Sequence, residues 1–352
     1  MWVLALLTVM ALALTQIQRT EGALTANQLD RARFRAQAAG ILNLVALDLL
    51  STPATTFDDR ARAWIPDGRA HPFRFDGDDF LVTLTNEGSK FDLNSIERSP
   101  LLTLIELAQE SERSAGRPGE YPGEQPGEHP DEQPPDQLAD RLADAILDWR
   151  DENDLARLNG AEDADYASAG LPYGAGDGPF RSLEELRQVL GMPASIHARL
   201  TPYLRVDSGR ANPYAAFSAG GGGNAAAGVD ETFAAAPVLV ALHGYALEDA
   251  QRLVEERFQG LFAGDDAGDA GDAGQRAPLE RGGPRYHLQI THQRLDGGGP
   301  TMEALIHVDP ANPAAFEVLW RRFGIEAAHP DSGVDPDPTP GASPENSTAE
   351  WP

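Results

Sequence analysis

The densest cluster of groups able to do chemistry is acidic. Asp148-Trp149-Arg150-Asp151-Glu152-Asn153-Asp154 is followed a short way on by Glu162-Asp163-Ala164-Asp165-Tyr166. Oxygen ligands at this density suit a hard divalent cation such as calcium, which takes about six to eight of them. Asp151, Asn153, Asn159 and Glu162 fall on positions 1, 3, 9 and 12 of a calcium-loop spacing. Position 5 is Leu155 and position 6 is Ala156, where such a loop needs an oxygen and a glycine. A helix–loop–helix calcium hand is therefore set aside. A looser site built from the same carboxylates stays open, against the plainer reading of an acidic loop on an acidic surface.

Other chemistries are poorly supplied. With no Cys there is no thiol nucleophile, no disulfide and no thiolate zinc site. The only Lys is Lys90, so no phosphate-cradling Gly-Lys-Ser/Thr loop and no other Schiff-base lysine exists. The His residues at 71, 129, 197, 243, 287, 292, 307 and 329 are scattered, outside any His-Glu-x-x-His pair, and no Gly-x-Ser-x-Gly elbow is present. His287, Gln289 and Thr291 share one face of an expected strand, with His292 opposite; all the His are read as structural. A formal net charge of −27 opposes a phosphate backbone. One segment, from Gly178 to Met192, resembles half of a helix-hairpin-helix, with the hairpin at Gly191-Met192-Pro193. Pro193 removes one amide and no Lys is near, so a packing role is favoured over nucleic acid.

These groups need a scaffold, and the scaffold begins with a long helix. Met1 to Leu14 carries no charge, and the first charged residue is Arg19. About 20 apolar residues span a bilayer, so the run is short as it stands. One reading is a cleaved secretory signal, though no basic residues precede it and no clear small-residue cleavage site closes it. The preferred reading is a membrane helix that has lost its first turns. No Pro occurs before Pro53, and Phe34, Ala38, Ile41, Leu42, Val45 and Leu49 make one apolar stripe. The expectation is one helix of about 50 residues, about 75 Å long.

Four stretches have compositions that bury too little to fold: 111–136 with its Pro-Gly-Glu repeats, 208–232, 263–284 with Gly-Asp-Ala repeats, and 329–352. Between them, strands are expected at 73–75, 79–85 and 91–94, with a turn at Asn86-Glu87-Gly88. Helices are expected at 100–111, 136–150, from a Ser182–Glu185 capping box to Leu190, at 195–204, and as a pair over 237–262 around His243-Gly244. Strands return at 286–294 and 302–308, and 316–322 fits either a strand or a helix. The order is that of an α+β body whose sheet is interrupted by a helical insertion.

Taken together these pieces resemble the minor pseudopilin K family of type II secretion, also called general secretion pathway protein K. The resemblance runs from Trp2 to about Gly260, and weakly through the last strands. Its most specific part is Leu147-Asp148-Trp149-Arg150-Asp151, Gly160-Ala161-Glu162-Asp163, Tyr166, Pro172-Tyr173, Pro179-Phe180, Ser182-Leu183 and Glu185-Leu186-Arg187. Arg199-Leu200, Pro202-Tyr203-Leu204 follow in place, and Phe91-Asp92-Leu93-Asn94-Ser95-Ile96 is similar to a further family stretch. The resemblance implies a pilin-like α+β fold, in which a long N-terminal helix packs on an antiparallel sheet carrying a large inserted helical, hairpin- or SAM-like domain. It implies a non-enzymatic tip component of a periplasmic pseudopilus, assembling with minor pseudopilins I and J and anchored by one pass in the inner membrane. It also implies structural calcium, for which Asp151, Asn153, Asp154, Glu162 and Asp163 are the candidates here. No catalytic residue, nucleic acid or small-molecule substrate is expected.

The corresponding division is 1–22 for the membrane half of the helix and 23–97 for the pilin-like helix and first strands. The helical insertion takes 98–206, the rest of the pilin-like domain 207–328, and the tail 329–352. Two features depart from the family. The basic leader ending in Gly is missing before Trp2, which implies a misplaced start. Gly/Pro/Asp-rich insertions replace compact loops, and Asn212-Pro213 is a degraded Asn-rich element. Pilins usually carry a Glu early in the apolar helix, and residues 2–14 have none. The expected subunit therefore has neighbours below and beside it but not above. The competing readings are an envelope DNA-binding protein and a periplasmic hydrolase.

Overall fold

The computed structural model describes residues 2–51, 63–115, 135–206, 228–262, 281–293, 299–309 and 315–325. The chain opens with α1, Trp2–Leu50, a single unbroken helix as its Pro-free sequence requires. Its second half lies on a sheet of β1 (Asp67–Phe75), β2 (Asp78–Asn86), β5 (Arg285–His292), β6 (Pro300–Val308) and β7 (Phe316–Ile325). The spatial order is β1-β2-β5-β6-β7 and every pairing is antiparallel. The stripe expected on α1 is the packed face: Phe34, Ala38, Ile41, Leu42 and Val45 are buried against Phe80, Val82, Leu84, Leu288, Ile290, Met302 and Ala304. Alternation of buried and half-exposed residues along β2, β5 and β6 supplies the other side of that core. Residues 316–322, left open between helix and strand, are strand.

β2 and β5 are sheet neighbours, yet the residues between them build a second body with its own core. It contains β3 (Phe91–Asp92), α2 (Arg98–Ala115), α3 (Pro135–Arg150), α4 (Asp163–Ser168), α5 (Ala194–Leu200), β4 (Leu204–Arg205), α6 (Ala236–His243) and α7 (Leu247–Phe262). β3 and β4 form a short parallel pair. The α6–α7 corner is turned by Gly244, whose φ of 70° suits glycine and whose N–H donates to Val240 O at 2.8 Å. Thus the helical insertion, the antiparallel sheet and the long N-terminal helix are all present.

Several local expectations change. The capping box at Ser182 does not form: Ser182 makes no side-chain cap, and Leu183–Gln188 is a 3-10 turn rather than an α-helix. Glu185 instead accepts from the Arg181 N–H at 3.0 Å, so its carboxylate reaches past Ser182. Asn86 ends β2 and caps a 3-10 turn at Glu87–Ser89 rather than sitting in a plain turn. The helix expected over 195–204 stops at Leu200 and passes through a 3-10 turn into β4, because Pro202 ends the α-helical pattern. The four low-packing stretches lie largely outside the described residues. At their margins 111–115 continue α2, 135–136 open α3, and 228–232 and 281–284 are ordered approaches to the next elements. Among the described residues no helix is long and apolar enough to cross a membrane.

Candidate functional site

The acidic cluster lies where α3 ends and a loop carries the chain to α4. Leu142, Ile146 and Trp149 bury one face of α3, and Leu138 is partly buried, as their spacing demands. Trp149 stacks on Phe180 at 6.0 Å and tilts against Tyr166 at 5.9 Å. Next to it Arg150 turns back to the first half of the insertion, donating to the carbonyls of Leu93 and, at 2.6 Å, Ile96. The end of α3 is therefore fixed on both sides before the loop begins.

The loop is organised around Asp148, which is fully buried. Its Oδ2 accepts the N–H groups of Arg157 at 3.1 Å and Ala161 at 3.0 Å, and its Oδ1 meets the Arg157 guanidinium. Arg157 also reaches Asp151 Oδ2 at 2.8 Å. Three hydrogen-bonded contacts with one buried carboxylate fold the chain over itself. They leave no room for a side chain at Gly160, where a Cβ would overlap the Asp148 carboxylate. Asp144, also buried on α3, binds Arg98 Nε at 2.7 Å and Asn159 Nδ2 at 3.1 Å. Burial pushes the Asp144 carboxyl up, but Arg98 and Asn159 outweigh it and hold it below its ordinary value.

The five candidate ligands do not all converge. Asp151 faces Arg157 and its Oδ1 accepts from Asn153 Nδ2 at 2.8 Å. Asn153 Oδ1 is used locally, by the Leu155 N–H at 3.0 Å. Asp154 is exposed. Glu162 is buried, and its carboxyl is pushed up to about 7, first by burial and then by Asp148, Asp151, Asp177 and Asp154. Its Oε1 is buried without a hydrogen-bond partner. Asp163 points elsewhere, its Oδ1 accepting the Ala175 N–H at 3.0 Å. Among the described residues no group of three or more His or carboxylate side chains forms a ready cage for a metal ion. From sequence, Asp148 is counted in the acidic cluster but given no part in the site, and Asp177 is not reached. Asp148 could have been noticed as the acid on the apolar side of α3, whereas Asp177 is brought near by the fold alone.

The hairpin-like segment is used internally. The Leu190 N–H donates to Tyr166 Oη at 3.1 Å and the Met192 N–H to Val189 O at 3.1 Å, so these amides are taken. The His residues that the structure describes serve as struts. His197 is buried beside Leu183 O at 3.2 Å, His243 meets Glu231 at 3.0 Å, and His292 sets its ring edge-on to Phe80. His287 stands on the outer sheet face beside Glu303, at 3.8 Å.

Comparison with known proteins bears on this same helical body. Residues 131–207 match the family profile described as type II secretion system (T2SS), protein K. A type II secretion system protein K of Klebsiella pneumoniae is 30% identical over 207 residues, covering 57% of this chain and 59% of that protein. One of Pectobacterium carotovorum subsp. carotovorum is 36% identical over 59 residues, covering 17% and 18%. The chain thus spans less than two thirds of the length of either relative. Among solved structures, the GspK-GspI-GspJ complex from the enterotoxigenic Escherichia coli Type 2 Secretion System is similar with a TM-score of 0.46 and 18% identity, over 85% of this chain and 98% of that one. The matched segment runs from α3 through the Asp148 loop and α5 to β4, so it is in the helical body that this chain is similar to type II secretion system protein K.

Proposed function

We propose that this protein is a minor pseudopilin of a type II secretion system, a structural tip subunit of the pseudopilus that works with minor pseudopilins I and J. The observation that carries the reading is α1. Its second half is fixed to the sheet through Phe34 to Ala46, while Trp2, Val3, Leu6, Leu7 and Met10 on the other half stay exposed. Exposed apolar side chains along an extended rod call for a bilayer or sister rods as their surroundings. In this reading the exposed apolar start of the rod, which is not long and apolar enough to cross a bilayer by itself, holds the body at the inner membrane and docks on neighbouring rods. The second body, inserted between β2 and β5, gives bulk that a stacking subunit above would have to avoid. No catalytic step is needed.

The test is coexpression of the full chain with I and J from the same system. A one-to-one-to-one complex is expected; a filament of this chain alone overturns the reading.

Calcium belongs to the same proposal. Glu162, with Asp151 and Asp154 nearby in the loop and Asp177 adding its charge, would hold the ion. Supporting this are the buried, unpartnered Oε1 and the crowding of negative charge that raises the Glu162 carboxyl. A divalent cation would relieve both. Arg157 supplies the positive charge that Asp148 and Asp151 have without it.

A further inference from the structure

The two edges of the five-stranded sheet are unlike. β1 contains Pro72, which has no N–H to offer an added strand, and its register breaks between Asp67 and Ala70. Arg69 also reaches from that edge to α7, with its guanidinium 3.8 Å from the Phe258 ring centre and Nη2 2.6 Å from Glu255. β7 has no proline and, among the described strands, pairs with β6 alone. Leu319, Trp320 and Phe323 are 40%, 40% and 39% exposed there. One unpaired side of a long strand is a row of backbone donors and acceptors ready for another strand.

The side chains say what kind of strand fits. Phe323 lies opposite Met302 on the α1 side, edge-on to Phe34 at 6.3 Å, with the Arg35 guanidinium 5.3 Å from its centre. Trp320 lies opposite Leu305 on the outer side, with Arg322 at 5.5 Å. Each face of this edge therefore ends in a ring with a guanidinium over it, and Arg321 stands opposite Ala304 on the Phe323 side. Glu303 and Glu184 share Arg322, so Arg35 and Arg321 carry the excess charge. Glu317, exposed on the same strand, lies opposite His307 toward its other end, so the positive charge is confined to the 320–323 stretch.

We infer that β7 accepts an added strand from a neighbouring minor pseudopilin, through an extended segment in which two acidic residues sit between two apolar ones. This rests on the function proposed above. Trp320, Arg321, Arg322 and Phe323 run ring, guanidinium, guanidinium, ring along the edge, so an incoming strand with the order apolar, acidic, acidic, apolar sets one carboxylate and one apolar group on each face.

The test is amide hydrogen exchange on the full chain, alone and with the soluble domains of minor pseudopilins I and J. It is paired with affinities for Arg321→Glu and, as a control on the opposite edge, Arg74→Glu. Complex formation should slow exchange in 316–325 by about tenfold or more and leave β1 unchanged. Arg321→Glu should weaken binding about tenfold through like-charge repulsion, and Arg74→Glu should not. Binding without slowing in β7, at unchanged affinity for Arg321→Glu, overturns the inference and leaves the proposed function standing. No binding to either domain sinks the proposed function as well. Slow β7 amides in the monomeric chain would mean that its own residues cover the edge. Slowing that grows with its concentration would mean a second copy. Either result overturns the inference.

Discussion

Asn86 and Asp230 are 144 positions apart and meet at 2.7 Å, Asn86 Nδ2 donating to Asp230 Oδ2. The contact joins the two cores. Asn86 Oδ1 also accepts from Gly88 N at 3.0 Å and Gly283 N at 3.2 Å, and the Asp230 N–H donates to Gly88 O at 2.7 Å. The last residue of β2, the entry to the helical body and the return to β5 are thus held by one buried amide. Nearby, Arg281 reaches the end of α1, with Nη2 3.4 Å from Asp48 Oδ2.

Asn86→Ala should cost about 2–4 kcal/mol, because it removes three hydrogen bonds and strands a carboxylate and two amides. Urea unfolding measures this as a lower midpoint. A change under about 0.5 kcal/mol would show the junction to be dispensable.

Asp148→Ala should cost about 3–5 kcal/mol, since it leaves Arg157 and two loop N–H groups without their common acceptor. Limited proteolysis of the variant should cut first within 151–161. Wild-type resistance there would remove Asp148 from the centre of the loop.

Glu303 is held down to about 2, first by His287 and then by Arg322, whose Nη2 is 2.6 Å away. A depressed carboxyl stabilises the fold above its unfolded value, near 4.5, and that contribution fades as pH falls through about 2. Its full size is about 3 kcal/mol, less what solvent screens at this half-buried site. Glu303→Gln should therefore destabilise the protein at pH 6 and lose its effect near pH 2. Parallel stability curves for the two proteins across that range would contradict the assignment.

Glu162 has the opposite sign. Its carboxyl is raised to about 7, so its contribution is fully present below the unfolded value near 4.5 and is lost as pH rises through about 7. Glu162→Gln should be stabilising by up to about 3 kcal/mol at pH 8 and neutral at pH 4 without divalent ions. Calcium should raise the melting temperature of the wild-type protein at pH 8 and much less at pH 5, and should do little to Glu162→Gln. Calorimetric titration that finds no calcium uptake at pH 8 would falsify the cation site.

The amino-acid order alone determined the long helix and its packed stripe, since uninterrupted 3.6-residue periodicity depends only on neighbours along the chain. It determined most strands and the helical insertion for the same reason. It also carried the family motif around Asp148 to Arg187. What it could not determine is which carboxylates meet. Loop spacing placed Asn153 and Asp163 beside Glu162, but the Leu155 N–H next to Asn153 and the Ala175 N–H beyond α4 draw their side-chain oxygens away. Asp177 comes near Glu162 from the far side of α4, through packing rather than spacing. The edge identity of β7 is likewise a property of the folded sheet. Strand order rests on contacts between β2 and β5, and the whole helical body separates these in the chain.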